Sequence, residues 1–94
     1  MNYVVYVLYS KRLQKYYVGE TVDIVQRIHE HNMGIYQGSF TSQSNDWELY
    51  LSFEVETRVI ARKIETHIKK MKSKVYIENL KKYPEMIIKL KREF

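Results

Sequence analysis

The chain predicts an α/β fold, a small sandwich in which a three-stranded antiparallel sheet is flanked by helices. Two observations set the sheet. The runs "NYVVYVLYS" and "YYVGET" are rich in tyrosine and valine and are joined by a short polar stretch, which favours a hairpin and antiparallel pairing over a doubly wound sheet. A third run, "WELYLSFEVE", alternates in the same way after an intervening helical segment. The order is ββαβαα plus a C-terminal helical tail. Residues 1–82 form the body, and residues 83–94 are the tail of the same domain.

The elements follow in turn. Tyr3 to Tyr9 is the first strand, with Val4, Tyr6 and Leu8 on one face. "SKRLQK" connects it to a second strand, Tyr16 to Glu20, through a loop of about six residues. Tyr17 and Gly19 share a face of that strand, so Tyr6 and Tyr17 are expected on the same side of the hairpin. Asp23, with Gln26 three residues on, resembles a capping box. The helix it opens runs to about Met33, and Gly34 stops it. Ile24 and Ile28 form its apolar stripe. Arg27 and His31, four apart, lie beside that stripe and are expected to be partly buried.

"GIYQGSFTSQSND" reads as a loop. In the third strand Trp47, Leu49, Leu51 and Phe53 are expected on one side. Thr57 caps the next helix, whose buried face is Ile60, Ala61, Ile64, Ile68 and Met71. Glu65 sits at the border of that face, with Arg62 and Lys69 pointing outward. Ser73 restarts a helix through Val75, Ile77 and Leu80. Pro84 suits the first helical position of the tail, whose Met86, Ile87, Ile88 and Leu90 either dock a partner or fold back on the core.

Length and composition bound the function. Ninety-four residues make one domain with one core. There is no cysteine, so disulfides, thiolate nucleophiles and thiolate metal sites are excluded. No run approaches the ~18 apolar residues of a membrane span, and no signal peptide is evident, so a cytoplasmic protein with no membrane role is expected. The net charge is +5, with basic residues crowded into "KKMKSK" and "KKYPEMIIKLKR". A basic face on a small domain points to a polyanion, nucleic acid first, set against a merely solvated helix face. The three glycines are scattered, so no phosphate-binding loop exists and no small-molecule cofactor is expected. His29 and His31 point to different sides of their helix and do not make a zinc pair.

What remains is a set of five: Tyr6, Tyr17, Arg27, His31 and Glu65. Singly, each has an ordinary reading. A strand tyrosine usually borders the core with its hydroxyl satisfied, and Glu65 pairs readily with Lys69 one turn on. Jointly they form a series: "VVYVLYS", ten residues between Tyr6 and Tyr17, "YYVGET", "QRIHEHN" and "ARKIETHIKK". In order and spacing this series resembles the GIY-YIG nuclease family, and most closely its small single-domain bacterial members, over about residues 3 to 80. The literal "GIY" at Gly34 to Tyr36 is a coincidence, since no matching strand follows it. The family's first motif corresponds to Val4-Val5-Tyr6, with valines for glycine and isoleucine. The second is Tyr17-Val18-Gly19, where Gly19 is expected to let a backbone or phosphate come close.

The resemblance implies a metal-dependent endonuclease acting on DNA. It makes Glu65 the ligand of Mg²⁺ or Mn²⁺, cations that keep much of their hydration. Arg27 then binds the phosphate, and Tyr6 takes the proton from the attacking water. Tyr17 places the water or phosphate, and His31 positions Tyr6 or relays its proton. A free tyrosine has a pKa of ~10, so Tyr6 needs help to act as a base. Asn79 is a weaker candidate. Lys69, Lys70, Lys72 and Lys74 are expected to touch DNA phosphates, giving affinity without sequence choice, with Lys11, Arg12 and Lys15 as the other possible path. Cutting is expected to depend on DNA structure or to be weakly selective. The competing readings are a catalytically silent nucleic-acid-binding module of the same fold, and an interaction protein that docks through its tail. The sequence leaves the oligomeric state open.

Overall fold

A computed structural model of the chain describes residues 2–35 and 40–94. The "Y" of the literal "GIY" and the centre of the loop around it lie outside the described residues. The strands are β1 (Tyr3–Ser10), β2 (Lys15–Thr21) and β3 (Glu48–Val55). The helices are α1 (Ile24–Asn32), α2 (Arg58–Met71), α3 (Lys74–Lys82) and α4 (Pro84–Glu93), with a 3-10 turn at Phe40–Gln43. The sheet is antiparallel throughout, in the order β2-β1-β3. The α/β sandwich expected from the sequence is the architecture observed.

β1 is central, and Val5, Tyr6, Val7 and Leu8 are buried in succession. A strand covered on both faces needs such a continuous apolar run. The sheet therefore divides the interior into two clusters, where chain length alone suggested one core. Val5, Val7 and Val18 pack under α2, α3 and α4 through Ala61, Ile64, Ile68, Ile77, Leu80 and Leu90. Tyr6, Leu8 and Trp47 pack on the other face, with Ile24, Ile28, Tyr17 and Phe40 around them. The tail folds back on its own core, because Leu90 is buried there and Met86 and Ile87 pack beside it.

Helix boundaries follow local chemistry. The side chains of Asp23, Thr57 and Ser73 accept hydrogen bonds from the backbone N–H groups of Gln26, Ile60 and Tyr76. Each satisfies a donor that a helix start leaves bare, worth about 1 kcal/mol. Pro84 occupies the first turn of α4.

Three local expectations are corrected. Trp47, Leu49, Leu51 and Phe53 do not share a face. The β1–β3 register shifts at Val7/Leu8, where Leu51 faces Val7 but Leu49 faces Leu8. The extra residue, Tyr50, is a bulge that reverses side-chain parity. Trp47 thereby joins the Tyr6 cluster while Leu51 and Phe53 join the other. Met71 is exposed rather than buried, because α2 ends there. Arg62 reaches back to the strand: Arg58 Nε and Arg62 Nε lie 3.6 and 3.7 Å from the two Glu20 carboxylate oxygens. These ion pairs hold α2 along the edge strand β2.

Candidate active site

The pairing register sets the site. Tyr6 faces Gly19 and Leu8 faces Tyr17 across the hairpin, so Tyr6 and Tyr17 lie diagonally on one face with ring centroids 6.3 Å apart. The Tyr6 ring lies over Gly19. A Cβ at residue 19 would sit 2.5 Å from the Tyr6 hydroxyl oxygen and 2.6 Å from Cζ. The glycine therefore makes room for the protein's own tyrosine, not for an incoming backbone or phosphate. Gly19→Ala is expected to push the hydroxyl off its partner and to cost about 1–3 kcal/mol by overpacking. A thermal melt combined with an activity assay checks this, and unchanged activity would show that the hydroxyl's position does not matter.

The adjacent tyrosines have different jobs. Tyr16 points to the other face, packs tilted against Tyr9 and edge-on against Tyr50 with ring centroids 4.8 and 5.0 Å away, and donates to Glu78 Oε2 at 3.3 Å. Burial first, then Tyr50 and Glu78, pushes its pKa well up, so Tyr16 stays protonated and structural. Tyr17 turns toward His31, whose ring centroid lies 4.9 Å away.

His31 sits in the last turn of α1 and is 3% exposed. Its Nε2 lies 3.0 Å from the Tyr6 hydroxyl and its Nδ1 2.8 Å from Thr41 Oγ1. Sequence reasoning missed Thr41, which lies ten residues away in a turn and carries no local signal. Its placement is fixed by Trp47, whose indole N–H donates to the Thr41 carbonyl at 2.8 Å. Asn32 was also missed. Its amide exchanges hydrogen bonds with the Trp47 backbone at 2.8 and 3.0 Å, pinning the end of α1 to the start of β3.

Burial lowers the His31 pKa below 6.5, and the nearby Arg27 charge lowers it further, with Glu30 partly opposing. The unfolded chain therefore takes up more protons below pH 6.5 than the folded one. Stability from His31 is fully present above 6.5 and is lost as pH falls through the folded value. His31→Gln is expected to flatten the fall in stability below pH 6.5 in urea titrations. Identical pH profiles for the two proteins would contradict it.

The remaining candidates approach from the helices. Arg27 lies one turn before His31, half-buried, with its Nε 3.9 Å from Glu30 Oε1. Glu65 is half-buried on α2, and Lys69 Nζ lies 2.7 Å from its Oε2. Lys69 also stands over the Tyr17 ring at 5.8 Å, so Glu65 reaches the tyrosine face through Lys69. Lys69, Lys72 and Lys74 line a hollow with Lys15 and Tyr17. Lys70 does not join them. It borders a separate hollow with Arg62, Lys63 and His67, because residues 69 and 70 are about 100° apart on a helix. Asn79 is half-buried on α3, where its carbonyl accepts from the Tyr83 N–H at 2.8 Å.

The structure brings Tyr6, Tyr17 and His31 together, sets Arg27 one helical turn from His31, and connects Glu65 to them only by way of Lys69. The family model for the GIY-YIG catalytic domain matches residues 2–83. The chain belongs to the GIY-YIG family. The family's domain is of nuclease type. Among solved structures, the solution NMR structure of a UPF0213 protein from Bacillus halodurans is similar, with a TM-score of 0.51 and 28% identity over 85% of this chain and 82% of that one. No curated protein matched the chain. In this GIY-YIG chain the valines at positions 4 and 5 belong to β1. Val5 packs on one core while Tyr6 turns to the other, so the motif's tyrosine keeps its face.

Among the described residues no helix is long and apolar enough to cross a membrane. Among them, too, no group of three or more His, Cys, Asp or Glu could hold a metal ion. Of the five candidate residues, Glu65 is the carboxylate; the nearby Glu30 pairs with Arg27, and Glu20 with Arg58 and Arg62. One oxygen ligand suits a hydrated Mg²⁺ or Mn²⁺ completed by water and phosphate, and does not suit an all-protein cage such as a zinc site.

Proposed function

We propose that this protein is a cytoplasmic, metal-dependent endonuclease that hydrolyses phosphodiester bonds of DNA, with structure-dependent or weak sequence selectivity. The observation that carries this reading is the Tyr6 hydroxyl held 3.0 Å from the Nε2 of a buried His31. Any buried tyrosine needs a hydroxyl partner; here the partner is a buried imidazole whose other nitrogen is itself held by Thr41, a chain that fixes the hydroxyl's position and can tune its proton.

Burial and the neighbouring Arg27 charge favour the neutral form of His31. An imidazole that resists protonation is a poor store for a proton, which argues against a relay. In its neutral form with the proton on Nε2, it donates to the Tyr6 oxygen while the Thr41 hydroxyl donates to Nδ1. That bond stabilises a phenolate at Tyr6 and leaves its remaining lone pairs to accept a proton from the attacking water. Tyr17 flanks this oxygen and orients the phosphate or the water. Arg27 offers charge-assisted hydrogen bonds to the phosphate. Glu65 would hold the divalent cation, which when bound supplies Lewis-acid charge to the phosphate and the leaving oxygen. Lys69, Lys72 and Lys74 supply affinity through backbone phosphates, while Lys70, on a separate hollow, lies off this path.

A cleavage screen over duplex, flap, branched and single-stranded DNA tests the reading. Products are expected with Mg²⁺ or Mn²⁺ and none with chelator. No cutting of any substrate with either metal, alongside retained binding, would leave a silent nucleic-acid-binding module in its place.

A further inference from the structure

We infer that the hollow between β2 and the α2–α3 junction is a binding groove for an unpaired stretch of DNA strand. One base stacks on Phe40, and the flanking phosphates lie on Lys15, Lys69, Lys72 and Lys74. The inference deepens the endonuclease reading and rests on it for one point, that the strand leaving the groove crosses Tyr17 toward Tyr6.

The groove has a volume of about 480 Å³, within the ~300–1,000 Å³ of sites that enclose small ligands. Its described lining holds four lysines and no acidic residue. That combination suits a polyanion and disfavours an acid-balanced peptide. Its aromatic side is built from Tyr17 and Phe40, whose rings are nearly parallel at 17° and 6.5 Å apart. Cations already stand over both rings: Lys15 Nζ lies 5.5 Å from the Phe40 centroid and Lys69 Nζ 5.8 Å from that of Tyr17. Flat π-faces beside ammonium groups are how proteins grip single strands, with bases on rings and phosphates on lysines. A base inside a duplex is covered on both faces by its stacked neighbours, whereas an unpaired base can turn a face to an aromatic ring.

The backbone supports the same use. Lys72 ends α2 with φ 47°, in the left-handed region. Glycine is the usual residue there, and a lysine is strained. The turn brings Lys69, Lys72 and Lys74 to one rim despite the helical spacing. Lys74 is anchored there by donating to the Gln14 carbonyl at 2.8 Å. Strain kept at a cationic rim is explained by what the cation binds.

Binding in chelator, with nothing cut, tests the assignment by fluorescence anisotropy. The probes are one dye-labelled oligonucleotide as a single strand, as a blunt duplex, and as a duplex with a single-stranded tail. The single strand and the tailed duplex are expected to bind more tightly than the blunt duplex. Phe40→Ala is expected to weaken single-strand binding about 5- to 150-fold, the effect of one lost base stack, and Phe40→Trp to restore it. Because Phe40 also contacts Trp47, a second variant is needed that does not endanger the fold. Lys72→Gly relieves the backbone strain, so its melting temperature is expected to rise. Its single-strand affinity is expected to fall, with the slope of log affinity against log salt flatter by about 0.7. Equal affinity for blunt duplex and single strand would overturn the assignment, as would unchanged binding by Lys72→Gly. Single-strand preference without Mg²⁺-dependent cutting leaves the groove standing and removes the endonuclease. Cutting without that preference does the reverse.

Discussion

Tyr6→Phe is expected to lower cleavage by on the order of 10²–10⁴-fold, the contribution of a general base, while DNA affinity stays near that of the parent. Only the hydroxyl is lost. The ring continues to fill the space over Gly19, and Tyr6 is 1% exposed, so it offers DNA almost no surface. The fold loses one buried hydrogen bond to His31 Nε2, about 1 kcal/mol net, with a further cost if the imidazole N–H is left without a partner. A modest drop in melting temperature should therefore accompany a large drop in kcat. Tyr17→Phe supplies the contrast. Tyr17 is half-buried and borders the lysine groove, so its loss should divide between binding and turnover. Single-turnover rates with separately measured Kd values distinguish the two. Equal losses in Kd and kcat for Tyr6→Phe would make Tyr6 a substrate contact and leave the base unassigned.

Much of this site was legible because its determinants are local or set by parity. Side chains alternate strictly along a strand, so Tyr6 and Tyr17 could be put on one face once the hairpin was recognised. The caps at Asp23, Thr57 and Ser73 were legible for a similar reason, since each cap bonds within its own first turn. What failed depends on contacts distant in sequence. Nothing near Tyr50 announces a bulge, because the bulge is a mismatch between β3 and β1. Thr41 has meaning only once Trp47 and His31 have brought its turn under the sheet. The role of Gly19 was misread because its neighbour is Tyr6, reached by strand pairing and not by sequence proximity. Lys72 gave no signal either, since a left-handed cap is normally read from a glycine. The two lysine paths, one in the hairpin loop and one after Glu65, looked like alternatives. The fold makes Lys15 and Lys69 opposite walls of one groove.

Glu65→Gln is expected to abolish metal-dependent cutting with almost no loss of stability. The two consequences separate because the residue's structural role is small. Its visible partner is Lys69, an i,i+4 pair whose lysine side chain is 48% exposed. Such pairs contribute about 0.3–0.5 kcal/mol, and less in salt. Glutamine keeps the shape of the side chain and can still accept from Lys69 through its carbonyl oxygen. It cannot supply the anionic oxygen that a hydrated divalent cation selects. Among the described residues no group of three or more acidic or histidine side chains offers a ready-made alternative site. Direct Mn²⁺ binding, followed by magnetic resonance without DNA, should fall in this variant, and the thermal melt should superpose on that of the parent. Lys69→Gln is the companion measurement. It removes the cation that shares Glu65 Oε2, so Mn²⁺ affinity should rise even as DNA affinity falls. Turnover by Glu65→Gln in Mg²⁺ at the parent rate, or unchanged Mn²⁺ binding, would move the metal away from α2 and make the Glu65–Lys69 pair a surface ion pair and nothing more.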